Sequence, residues 1–237
     1  MAESTANTEP GTIEDESDAS PGLFGLVDTL LKSPGTLFED LRTKPKPFFA
    51  LLGIAVAGLA VSGVVCATTG GGAQFLLVPA KVVFGLLFSA LLCLPSLHIF
   101  SCLSGSTQNA RTTAAALLLG VSLLSVLQVG FAPIAWIFSQ ATSSVVALGT
   151  LNVVFLLISA YFALRLVRRA LESVSLTSSG GLVVWSVLFV LVMLQMTTTL
   201  RPLVGPYHGH IFESRVFFLE HWFGDTAFEN STRGSLM

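Results

Sequence analysis

Apolar residues fall along this chain in long runs rather than alternating with polar ones, and the run from Phe75 to Phe100 organises the rest. It holds one cation, Lys81, near its start and no acid. A hydrocarbon core about 30 Å thick takes roughly 20 helical residues, so this run crosses with some tilt. Within it Lys81, Gly85, Ser89 and Cys93 recur every fourth residue, placing them on one drifting helix face. Small residues on that face let another helix approach where lipid gives no hydrophobic drive to pack. The same logic predicts five spans at roughly 47–67, 75–101, 113–138, 143–166 and 181–200. Gly53 with Ala57, and Gly58 with Ser62, give the first span small residues four apart and suited to close contact. The expected architecture is all-α, a polytopic five-helix transmembrane bundle over residues 47–200.

Before the first span the pattern is amphipathic. Leu23, Leu26, Val27 and Leu30 mark a helical apolar face, and Leu37, Phe38 and Leu41 mark another after the Ser33-Pro34-Gly35 break. Thr36 and Glu39 have capping-box spacing, which places a second short helix there. Residues 23–46 thus read as an amphipathic juxtamembrane segment, either lying at the surface with Lys32, Arg42, Lys44 and Lys46 toward headgroups or packed under the span ends. Residues 1–22, rich in Ser, Thr, Glu and Asp, are expected to be a disordered acidic tail with no cleaved signal peptide. Residues 201–237 form an aromatic tail carrying Tyr207, Phe212, Phe217, Phe218, Trp222 and Phe223, which suits the membrane interface.

Composition sharpens this reading. With 52% apolar and 11% charged residues and a mean hydropathy of +0.78, the chain is outside the range of a soluble globule. No acid occurs between Asp40 and Glu172, so a proton- or sodium-coupled carrier, which keeps a carboxylate in its bundle, is disfavoured. Cys66, Cys93 and Cys102 sit in or at the ends of apolar runs and read as packing residues. Five crossings put Lys32, Arg42, Lys44, Lys46, Arg111, Arg165, Arg168 and Arg169 on one side and Lys81, Arg201, Arg215 and Arg233 on the other. The richer side is expected to be cytoplasmic, with the N-terminus inside and the C-terminus outside.

Candidate chemistry is sparse. Lys81, a cation inside a span, must snorkel, meet a lipid phosphate, or pair with Glu213 or Glu220 of the outer tail. Gln128, Asn152 and Gln195 can bond across helices, and Arg201 followed by Pro202 ends the last span at the interface. His208, His210 and Glu213 are weak metal-ligand candidates in a Gly- and Pro-rich stretch that favours a loop. Ser122 and His98 make a remote nucleophile-and-base pair without a nucleophile-elbow context. No catalytic, cofactor-binding or nucleic-acid-binding motif stands out.

Three segments resemble a bacterial family of small polytopic membrane proteins without an established activity. They are Lys81 with the run ending Leu94-Pro95-Ser96-Leu97-His98-Ile99-Phe100, then Ala132-Pro133 with Leu151-Asn152, then Gln195-Met196 leading into Leu200-Arg201-Pro202-Leu203-Val204-Gly205. Thr198 and Leu203 stand where the family has Trp and Phe, and His98 where it commonly has Tyr. Ser33-Pro34 through Phe49 is similar to the start of Yip1-like domains, five-span folds with a cytoplasmic N-terminus. The resemblance implies a cell (inner) membrane protein, with Pro95, Asn152, Gln195, Arg201 and Pro202 as structural positions. The expected function is a non-enzymatic anchor or scaffold for a partner complex, reached through the N-terminal segment or the outer tail, with homo-oligomerisation open. The alternative is a channel or lipid-handling transporter with a polar path near Lys81, Gln128, Asn152 and Gln195.

Overall fold

The computed structural model describes residues 22–67, 74–105, 109–141, 145–175 and 180–199. The chain forms α1 (Leu23–Lys32), α2 (Pro34–Thr43), α3 (Lys46–Ala67), α4 (Gln74–Leu103), α5 (Ala110–Ala141), α6 (Val145–Ser175) and α7 (Gly180–Thr199). The last five are long and apolar enough to cross a membrane, so the protein is an all-helical, multi-pass membrane protein. Each of the five also leaves large apolar side chains uncovered, among them Val61, Phe84, Ile137, Phe162 and Val187, as a lipid-bathed surface requires.

Close approaches fix how the spans run. A Cβ on Gly63 would lie 2.6 Å from Pro79 Cα, which makes α3 and α4 an antiparallel pair at near backbone contact. Gly58 faces Ser125, and Ser122 Oγ donates to the Leu51 carbonyl at 3.2 Å, so α5 runs parallel to α3. Gly120 meets Val167 and the Ala163 carbonyl, and Phe131 stacks on Phe155 at 4.7 Å, setting α6 antiparallel to α5. On the other flank Trp185 reaches Cys93 and Ser96, and Gly181 lies against Phe100 and Ser104, setting α7 antiparallel to α4.

The hub is α5, not the Phe75–Phe100 run of α4. α5 buries 56% of its most apolar stretch, against 22 to 33% for the other spans, and it touches α1, α2, α3, α4 and α6. Its Ala115, Ala116, Gly120, Ser122 and Ser125 explain this, because a helix lined with small side chains can be approached from several directions. Gly53 and Ala57 are a correction as well: both are exposed, and nothing lies within 4 Å of a Cβ built on Gly53. Of the two spaced pairs in α3, the one containing Gly58 packs.

The juxtamembrane segment is a helical hairpin docked under the bundle. Leu26 and Leu30 of α1 and Leu37, Phe38 and Leu41 of α2 are buried in the same core as Leu117, Ala170 and Leu171. α2 begins one turn earlier than the capping-box reading placed it. Ser33 is the N-cap and Pro34 the first helical residue, a position where its missing N–H costs nothing. Thr36 instead donates to the Ser33 carbonyl at 2.9 Å, and Glu39 pairs with Arg42. α6 continues nine residues past the predicted end of its span, because Val167, Ala170 and Leu171 keep packing there while Arg168 and Glu172 pair at 2.7 Å.

Candidate functional site

Polar side chains inside the bundle are tied mostly to backbone carbonyls of their own helices. Ser89 donates to Gly85, Ser122 to Leu118, Ser125 to Ser122, Ser159 to Phe155 and Ser186 to Leu182, at 2.7–2.9 Å. This satisfies each hydroxyl without a partner helix and leaves little free donor capacity in the core.

Bonds between helices are fewer; they include Ser122 to the Leu51 carbonyl and bonds at three further places. Near the basic end Trp185 Nε1 of α7 donates to the Cys93 carbonyl at 3.1 Å and lies 3.2 Å from Ser96 Oγ on α4. Pro95 lies in the same turn; its missing N–H frees the Leu91 carbonyl, not the Cys93 carbonyl that the indole meets. His98 Nδ1 of α4 is 3.3 Å from Thr113 Oγ1 of α5, and Cys102 Sγ is 3.9 Å from His98 Nε2. Toward the opposite end Cys66 Sγ of α3 donates to Asn152 Oδ1 of α6 at 3.5 Å, while Asn152 Nδ2 bonds the Leu148 carbonyl at 3.2 Å. Sequence reading gave Asn152 as a residue able to bond across helices and Cys66 as a packing residue without pairing them, and it missed Trp185 and Thr113 altogether.

The predicted polar path divides accordingly. Asn152 is held by Cys66 and its own helix, and Gln195 also has an interaction partner. Gln128 is half-buried on α5. Lys81 is half-buried on α4, with no acid paired to it among the described residues, while Gly85, Ser89 and Cys93 on its helix face are buried. Ser122 and His98 are not brought together: Ser122 bonds the Leu51 and Leu118 carbonyls, and His98 bonds Thr113, nine residues along α5 from Ser122. Arg201, Pro202, His208, His210, Glu213, Glu220 and the aromatic tail lie outside the described residues, as does the acidic tail. Among the described residues no three His, Cys, Asp or Glu side chains gather in a way that could hold a metal.

Charge is concentrated at one end. The starts of α3, α5 and α7 and the ends of α4 and α6 meet there with the α1–α2 hairpin. Of the nine described cations eight belong to this end, and Lys81 alone belongs to the other. Comparison of the chain with protein-family models, with curated proteins and with solved structures finds no match.

Proposed function

We propose that this protein is a non-enzymatic membrane anchor or scaffold whose basic end, with the α1–α2 hairpin, faces the cytoplasm and offers the contact to a partner complex. The observation that supports this reading most directly is the bonding of the core. Asn152 pairs with Cys66 and Trp185 with the Cys93 carbonyl, which join helices, while Ser89, Ser122 and Ser159 bond carbonyls of their own helices, so these polar groups are engaged within the bundle. Two further points favour it: no carboxylate lies between Asp40 and Glu172 to relay ions, and eight of nine described cations share one end, as cytoplasmic ends do. Assignment to a bacterial inner membrane, and kinship with Yip1-like proteins, rest on the motif residues alone.

The channel reading is separated by flux. Purified full-length protein in sealed vesicles is expected to pass neither ions nor small neutral solutes above the protein-free rate. Gently solubilised membranes are expected to yield it with a stoichiometric partner. Flux that falls on Gln128→Leu substitution would overturn the scaffold reading, because Gln128 is the predicted path residue left half-buried on the hub helix.

A further inference from the structure

Every described acid is already taken. Asp28 pairs with Lys32, Glu39 with Arg42, Asp40 with Lys44 and Glu172 with Arg168, each on its own helix. Among the described residues this leaves Lys46, Arg111, Arg165 and Arg169 at the basic end without an acid. All four are exposed, on the first or second residue of α3 and α5 and on the outgoing part of α6.

Their depth follows from α6. Its buried face carries Ala163, Val167 and Ala170 against α5. Its opposite face runs from Val154 and Ile158 through Tyr161 and Phe162 to Arg165 and Arg169, all exposed. That stripe passes from aliphatic to aromatic to cationic, the order of side chains met on leaving a bilayer. The helix from Val145 to Arg165 spans about 30 Å, the thickness of the hydrocarbon core. Arg165 and Arg169, one turn apart on the lipid side, therefore stand at the headgroups of the surrounding leaflet. On α3 Lys46 occupies the same level, three residues before Phe49, which is 70% exposed.

We infer that Arg165 and Arg169, with Lys46 and Arg111 at the same end of the bundle, form a binding surface for anionic phospholipid headgroups. A guanidinium presents a planar fork of donors to a phosphodiester, and two forks a turn apart can hold one headgroup between them. The acidic N-terminal segment, with Glu3, Glu9, Glu14, Asp15, Glu16 and Asp18, is the competing occupant of like charge. Lipid is favoured because Arg165 and Arg169 continue the lipid-facing stripe of α6, away from the face on which the bundle packs. The inference needs the five spans but not the scaffold reading; flux through the protein would leave it standing.

The test uses full-length protein in neutral detergent micelles, titrated with short-chain phosphatidylglycerol while thermal unfolding is followed by tryptophan fluorescence. Phosphatidylglycerol is expected to raise the unfolding midpoint and an equal amount of phosphatidylcholine to leave it unchanged. R165Q/R169Q is expected to weaken the apparent affinity roughly 25-fold, about fivefold per cation. Lys81→Gln, at the far end, is expected to leave the affinity as it is. Equal affinity in wild type and R165Q/R169Q overturns the proposal, and so does an equal rise with phosphatidylcholine or with inorganic phosphate. A response seen only after the six N-terminal acids are changed to their amides assigns the surface to the tail and overturns it too.

Discussion

At the scale of single residues, contact distance decides which small side chains matter. Gly63 and Gly53 are both glycines of α3, ten residues apart, and each has an alanine four residues on, Ala67 and Ala57, so spacing alone does not rank them. Their surroundings do. A methyl on Gly63 would sit 2.6 Å from Pro79 Cα, a backbone atom that cannot turn aside, whereas one on Gly53 would meet nothing within 4 Å. Gly63→Ala is therefore expected to push α3 and α4 apart and destabilise the fold by about 1–3 kcal/mol. Gly53→Ala is expected to cost less than about 0.5 kcal/mol, since it adds a better helix former on an open face. Unfolding both full-length variants by denaturing-detergent titration checks the order; equal losses would show that the α3–α4 contact does not limit stability.

Among the elements, the N-terminal hairpin is where packing and membrane attraction compete. α1 carries two kinds of apolar residue: Leu26 and Leu30 are buried on the bundle, while Phe24 is 92% and Leu31 55% exposed. Burying a leucine from water contributes about 1.5–3 kcal/mol, so Leu30 and Leu41 together can hold the hairpin in place. Changing both to Ser is expected to speed trypsin cleavage at Arg42 by roughly tenfold or more, as the population of undocked hairpin rises. Leu31→Ser, on the exposed side, is expected to leave the cleavage rate near that of the wild type. Unchanged cleavage in the double variant would mean that lipid rather than the bundle holds these helices.

The same elements show what could be read in advance. Spans were legible because run length is a property of the chain alone: α3 begins and ends within a residue of its expected bounds. The end of α6 was not, because Arg165, Arg168 and Arg169 stop the apolar run while Val167, Ala170 and Leu171 continue the helix against its neighbours. Nor was the hub legible, since the long apolar stretch of α4 outweighs the mixed Ala, Thr, Ser and Gly of α5 on any hydropathy scale. Small residues carry that information, and their value depends on which neighbour arrives. Of the interhelical contacts, Asn152 was visible as a polar residue in a span, but the indole of Trp185 looked like one more apolar side chain.

For the whole molecule, parity is the property on which the rest depends. Five crossings place the first and last segments on opposite sides, and a helix count of four or six would bring them together. The packing already constrains parity internally. α3 and α5 run parallel through Gly58–Ser125 and Ser122–Leu51, which requires an intervening span between them, and α4 supplies it. α7 lies antiparallel to α4 through Trp185, so its C-terminal end lies at the end of the bundle where α4 begins, away from the hairpin. A variant with Cys66, Cys93 and Cys102 replaced by Ala allows single cysteines to report sidedness to a membrane-impermeant maleimide in sealed vesicles. Cysteines at Ser33 and Asn109 are expected to react from one side, and cysteines at Gln140 and Ser231 from the other. With the richer cationic end retained inside, Gln140 and Ser231 are the pair that labels on intact cells. Labelling of Ser33 and Ser231 from the same side would break the parity, and with it both the scaffold geometry and the headgroup level assigned to Arg165 and Arg169.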